Sequence, residues 1–129
     1  VLPKVSDALI CQIDFIASFS KLLNIKIPSS DAQDSENILD ALIGKTNLGR
    51  TVLVKQGGAL SVIHGDWKYI TPSKGPANTG PLLTNIETGN SLTPQLYHLK
   101  DDLGEKNNLA EKYPEKVKEM ASLLEKIKG

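Results

Sequence analysis

Cysteine is nearly absent from this chain of 129 residues: Cys11 stands alone. A lone thiol excludes an internal disulfide framework and any zinc site built on several cysteines. An excess of one charge is missing as well. Fifteen basic residues meet fifteen acidic ones, for a formal net charge of zero. A protein that holds nucleic acid or an anionic membrane by long-range attraction normally carries a basic surplus, so neither partner is expected. There is no long apolar run. The most apolar stretch, Leu9 to Ile27, is broken by Gln12, Asp14, Ser18, Ser20, Lys21, Asn24 and Lys26, which excludes a transmembrane span. No basic region precedes it, so it is not an intact signal peptide. No internal repeat is visible. What remains is 40% hydrophobic and 23% charged, the balance of one small globular domain or a piece of one. The chain opens on Val1-Leu2-Pro3 without Met and reads as cut or processed.

Periodicity divides the chain in three. Residues 1–44 are helical in pattern. From Ser6 to Ile27 the apolar residues Leu9, Ile10, Ile13, Ile16, Phe19, Leu22 and Leu23 fall mostly three or four apart, which predicts a helix with one buried stripe. In an alternative, Asp14 sits in the first turn and Val5 to Gln12 is an extended lead-in. Pro28 to Asn37 reads as a surface loop, and Ile38 to Ile43 as a short helix closed by Gly44. Residues 50–101 change to a period of two. Thr51–Lys55, Ala59–His64, Trp67–Thr71 and Gln95–Leu99 read as strands, with Gly65-Asp66 as a type II′ hairpin turn. Residues 72–94 read as a long, mobile loop with at most a brief strand at Leu82 to Ile86. In residues 109–129, Pro114 suits a first helical position, and Val117, Met120, Ala121, Leu124 and Ile127 form one apolar face. The fold class is α+β: a four-stranded antiparallel sheet with helices against one face, including a C-terminal helix.

No complete catalytic set is present. His64 and His98 lack partners at ligand spacing, Cys11 lacks a nearby His, and Asp101-Asp102 falls in turn chemistry that satisfies backbone N–H groups. The residues therefore assign no catalytic group and no metal ligand.

Four stretches, taken in order, resemble the C-terminal part of an arylsulfatase-type sulfatase. They are Cys11-Gln12-Ile13-Asp14-Phe15 with the helix after it; Asp34-Ser35-Glu36-Asn37 running into Ala41-Leu42-Ile43-Gly44; Gly65-Asp66-Trp67-Lys68-Tyr69-Ile70; and Leu96-Tyr97-His98-Leu99 running through Gly104-Glu105 to Asn108-Leu109-Ala110. Each alone is weak, but together they cover nearly all of the chain except Ser73 to Thr93. His98 stands where the family usually has Asp, Leu103 where it has Pro, and Ile63 where many members have Arg. The motifs also have a plain structural reading. Trp67 can cover a helix, and Asn107 or Asn108 can cap a turn near Leu109.

The resemblance implies the C-terminal subdomain of an alkaline-phosphatase-like sulfatase fold, spanning 1–129. It implies a parent that hydrolyses sulfate esters, aryl sulfates or sulfated sugars, with calcium and a formylglycine. This chain lacks the Cys/Ser-x-Pro/Ala-x-Arg motif that makes that nucleophile: Cys11 is followed by neither Pro nor Arg, and the only arginine is Arg50. The implied partner is the catalytic N-terminal domain of the same parent. That domain, or a second copy, would cover an apolar patch expected at Leu9, Ile10, Ile13 and Ile16. By family analogy the compartment is the periplasm or the exterior. Lys55 and Gln56 stand where related sulfatases often carry a polar His-Gln pair, which implies a place at the substrate rim. The alternative is a free-standing interaction module with no enzymatic parent.

Overall fold

The computed structural model describes residues 3–28, 30–80 and 86–129. They form two compact units, Val1–Thr51 and Val52–Gly129.

In the first unit an extended lead-in reaches a single 3-10 turn, Gln12–Asp14, which runs into helix α1, Phe15–Leu23. The start is thus later than Ser6, and the alternative with Asp14 in the first turn holds. Helix α1 ends at Asn24 in the left-handed conformation (φ 53°), where the Ile25 N–H reaches back to the Ser20 carbonyl at 2.9 Å; asparagine tolerates that conformation at helix ends. Helix α2, Leu39–Leu42, follows the expected loop, and the Gly44 N–H closes it on the Ala41 carbonyl at 3.1 Å.

The expected buried apolar stripe of α1 is not found. Ile13, Ile16, Phe19, Leu22 and Leu23 are exposed, and the fully buried side chains around this helix are those of Asp14 and Ser18. Both are buried because the backbone of residues 35–38 needs acceptors there. The Glu36 N–H donates to Asp14 Oδ1 at 2.9 Å and the Ile38 N–H to Ser18 Oγ at 3.1 Å, while Ser35 Oγ accepts from the Ala17 N–H at 3.0 Å. Arg50 completes the arrangement. Its Nε lies 2.8 Å from Asp14 Oδ2, its Nη2 lies 2.8 Å from Asp14 Oδ1 and donates to the Asp34 carbonyl, and its Nη1 reaches Glu36 at 3.2 Å. A buried carboxylate is costly unless it is paired and fully hydrogen-bonded, and this one is both.

The second unit carries an antiparallel sheet in the order β1-β2-β3-β4: Val52–Gln56, Leu60–His64, Trp67–Ile70 and Gln95–His98. Gly65 at φ 57° makes the β2–β3 turn, a conformation that costs an L side chain more than it costs glycine. Alternation sends Val62, Tyr69 and Leu96 to one face, where Met120 and Leu124 of helix α3, Pro114–Lys128, close a core. Each such side chain contributes about 2 kcal/mol by leaving water. Trp67 and Val117 are partly buried at its margin. The Asn108 side chain, not that of Asn107, holds the approach to α3, with Oδ1 accepting from the Leu96 and Ala110 N–H groups at 3.0 Å each.

The described parts of the 72–94 loop, residues 72–80 and 86–94, are joined to each other by hydrogen bonds. The Ser73 N–H bonds the Ser91 carbonyl at 2.7 Å, the Thr88 N–H bonds the Ala77 carbonyl at 2.9 Å, and Asn78 bridges to Glu87. Leu82 to Asn85, within the brief strand expected there, lie outside the described residues. Turn-forming composition predicts a loop, whereas these bonds need only suitably spaced backbone groups.

Asp14 fixes a test by pH. Burial pushes its carboxyl up, but the Arg50 hydrogen bonds, the Glu36 N–H, the Arg50 charge and the Cys11 N–H outweigh this and hold it below its ordinary value. A lowered folded-state value adds stability that is present above the unfolded value of about 3.9 and is lost as pH falls through the folded one. The first unit should therefore unfold more readily below about pH 4. Asp14→Asn should show a shallower acid limb in melts followed by circular dichroism. Arg50→Ala, which strands a buried carboxylate, should cost about 3–5 kcal/mol at neutral pH.

Candidate functional site

Helix α3 covers one face of the sheet. On the other face a groove of about 440 Å³ is lined by residues of β1 to β4, by residues 86–89 and by Gly104-Glu105. Its floor follows from the register. Ser61 pairs with Ile70 across β2–β3, and Lys68 with Tyr97 across β3–β4, so these side chains share a face. Ala59, Ile70 and Tyr97 form a small buried apolar cluster there.

Polar groups converge on that floor. Lys68 Nζ lies 2.7 Å from both oxygens of Glu105. The Tyr97 hydroxyl donates to Gln95 Oε1 at 2.9 Å, and Gln95 Nε2 donates to the Gly89 carbonyl at 2.8 Å. Burial, then the negative charges of Glu105, Glu87 and Asp102, push the Tyr97 phenol above its ordinary value.

Lys55 and Gln56, the substrate-rim residues expected from the sequence, both line this groove at the end of β1. Among the described residues Lys55 has no ion-pair partner. The turn after them is held from the loop. Asn90 accepts from Ser73 Oγ at 2.7 Å and donates to the Pro76 carbonyl at 3.1 Å. A Cβ placed on Gly58 would meet Asn90 Nδ2 at 2.8 Å and the Thr88 carbonyl oxygen at 2.9 Å. Sequence reasoning misses Asn90 and Glu105. Glu105 takes the left-handed backbone conformation (φ 53°) in the turn that follows Gly104.

The other residues singled out do not join the groove. His98 Nδ1 lies 2.6 Å from Asp101 on the α3 face, with its ring against Trp67. Asp102 accepts the Lys106 and Asn107 N–H groups, as turn chemistry predicts. In the first unit, Ile10, Ile13 and Ile16 of the expected patch are exposed and Leu9 is half-buried, and Phe15, Phe19, Leu22 and Leu23 extend the apolar surface along α1. Among the described residues no cluster of three His, Cys, Asp or Glu could hold a metal, and no helix is long and apolar enough to cross a membrane.

A four-stranded antiparallel sheet with a closing helix, preceded by a unit built on Asp14 and the Asp34–Asn37 loop, is an architecture this chain shares with the C-terminal region of a sulfatase. The chain is 42% identical over 130 residues to the N-acetylgalactosamine-6-O-sulfatase of Bacteroides thetaiotaomicron strain VPI-5482, matching 99% of this chain and 25% of that protein. It thus corresponds to a C-terminal piece and spans about a quarter of the relative's length. A solved structure of a 6S-sulfatase, described with the metabolism of multiple glycosaminoglycans by the same species, superposes with a TM-score of 0.84 over 95% of this chain and 26% of its own, at 42% identity. The crystal structure of Ps i-CgsB shares the fold at a TM-score of 0.56 and 18% identity over 88% of this chain and 23% of its own. No protein-family profile matches the chain.

The close approach at Gly58 gives a paired test. Gly58→Ala must displace Asn90 or the Thr88 carbonyl and should cost about 1–3 kcal/mol. Gly57→Ala, whose Cβ meets nothing within 4 Å, should leave the melting temperature nearly unchanged.

Proposed function

We propose that the chain is the C-terminal subdomain of a sulfuric ester hydrolase acting on a sulfated sugar, to which it lends a substrate rim and not the reacting groups. The observation that carries this is the 42% identity, across almost the whole chain, to a protein named for the 6-O-sulfate of N-acetylgalactosamine. The groove supports it. An unpaired lysine at the mouth of a concave surface raises the local concentration of an anion and orients it.

Sulfatases of this kind use calcium and a formylglycine. The residues of this chain fit neither group: Cys11 is followed by Gln12-Ile13-Asp14-Phe15, and no carboxylate cluster occurs among the described residues. Both therefore belong, in this reading, to an N-terminal catalytic domain. The exposed apolar face of α1 is the surface that such a domain would cover, since contiguous apolar surface of this kind marks an interface.

The chain alone should turn over no aryl sulfate. Turnover by the purified chain, with contaminating hydrolases excluded, would contradict the division of labour. In the full-length enzyme Lys55→Ala should raise KM or lower kcat/KM for a sulfated sugar while the melting temperature stays nearly constant. Unchanged kinetics would restrict this chain to a structural role. Ile16→Asp, at the centre of the α1 face, should weaken association with the separately expressed catalytic domain and leave Lys55 chemistry untouched.

A further inference from the structure

Two lysines line the groove, and among the described residues only one is without an ion-pair partner. Lys68, with 14% of its side chain exposed, is neutralised by both oxygens of Glu105 at 2.7 Å. Glu87 adds a second carboxylate at the exposed wall. Lys55, at the outer end of β1, is left as the unpaired cation. The floor between them is apolar, made by Ala59, Ile70 and Tyr97, and is edged by Ser61, Gln95 and the Tyr97 hydroxyl. This combination of an apolar floor, neutral hydrogen-bonding groups and one cation at the mouth suits a sugar ring carrying a single anionic substituent. The groove's volume of about 440 Å³ falls in the range of small-molecule sites.

We propose that this groove is a subsite for one singly sulfated sugar unit, and that Glu105 is the residue that rejects a second anion; the choice of a sulfated sugar rests on the sulfatase reading. The ring lies on Ala59, Ile70 and Tyr97 with its sulfate toward Lys55. Its hydroxyls meet the Lys68–Glu105 pair and the Gln95 and Tyr97 groups. A further sulfate on the same ring would face the Glu87 carboxylate and a Lys68 whose charge Glu105 already cancels. Repulsion of this kind is how a site discriminates when attraction alone would favour the more highly charged ligand.

The test is direct binding to this chain, followed by amide shifts in nuclear magnetic resonance. The probes are N-acetylgalactosamine 6-sulfate, its 4,6-disulfate and the unsulfated sugar. The monosulfate should shift Lys68, Ile70, Thr88 and Tyr97, and bind at least about five-fold more tightly than either of the others. Glu105→Gln keeps the side chain's shape but frees Lys68, so the disulfate should then equal or exceed the monosulfate, with the fold checked by the unchanged pattern of amide signals outside the groove. Glu87→Gln, on the exposed wall, should move the ratio the same way by a smaller step. The proposal is overturned if the wild-type chain binds the disulfate as well as the monosulfate, if neither variant alters the ratio, or if the monosulfate shifts nothing in the groove at tens of millimolar. Binding is read on this chain and hydrolysis on the full-length enzyme, so this inference and the sulfatase reading can fail separately.

Discussion

One helix can cover only one face of a four-stranded sheet, and the second unit is organised by that limit. Strict alternation along β1 to β4 puts Val62, Tyr69 and Leu96 under α3. The intervening residues, Lys55, Ser61, Lys68, Gln95 and Tyr97, are left on the other face. A one-residue slip in register would exchange the two sets, sending two lysines and a glutamine into the core and three apolar side chains to water. The groove is therefore a by-product of the same register that builds the core. Its chemistry and the stability of the unit are specified together.

The first unit inverts the usual partition. Its fully buried side chains are a carboxylate and a hydroxyl, with a guanidinium and the apolar Ile38 and Ala41 buried beside them, and the large apolar residues of α1 face outward. Dispersed hydrophobic burial tolerates sliding. A carboxylate bound by a two-pronged guanidinium and two backbone N–H groups does not, because each donor has a fixed direction. The Asp34–Asn37 loop is held to α1 by these directional bonds, which leaves the apolar side of the helix free of any packing duty within the unit. The family-like stretches at Asp14 and at Asp34-Ser35-Glu36-Asn37 have their physical basis here, with Arg50 joining them.

Much of this was legible in the sequence. The strands, the Gly65 turn, the start of α3 at Pro114 and the α+β class follow from period, turn chemistry and proline placement, which are local properties. The apolar period of residues 9–23 was legible too, but its meaning was not. Periodicity identifies a helix with an apolar face and says nothing about whether the cover for that face lies in the same chain. The Asp14–Arg50 pair joins residues 36 apart, and no local pattern announces such a partner, although a single arginine and a carboxylate inside an apolar stretch are the two halves of the clue. Lys55 and Gln56 were singled out through family resemblance. Asn90 and Glu105 were not, because their roles arise from how the 73–91 segment and the 104–105 turn come to lie beside β1 and β3.

The hydrogen bonds at the base of the 73–91 segment bear on how such a site diversifies. Ser73 to Ser91, Thr88 to Ala77 and the Asn90 side chain fix the two ends of the segment relative to each other. The wall of the groove, residues 86–89, is fixed by those same bonds. Once a loop's ends are pinned, lengthening it adds only a slowly growing entropic cost. The Thr79 N–H bonds the Ile86 carbonyl at 2.9 Å as well, so a change of length inside that pair can leave the wall where it is. A lineage can exchange the outlying contacts of this scaffold one insertion at a time without rebuilding the cleft behind them, and a protein engineer can graft sequence there on the same terms.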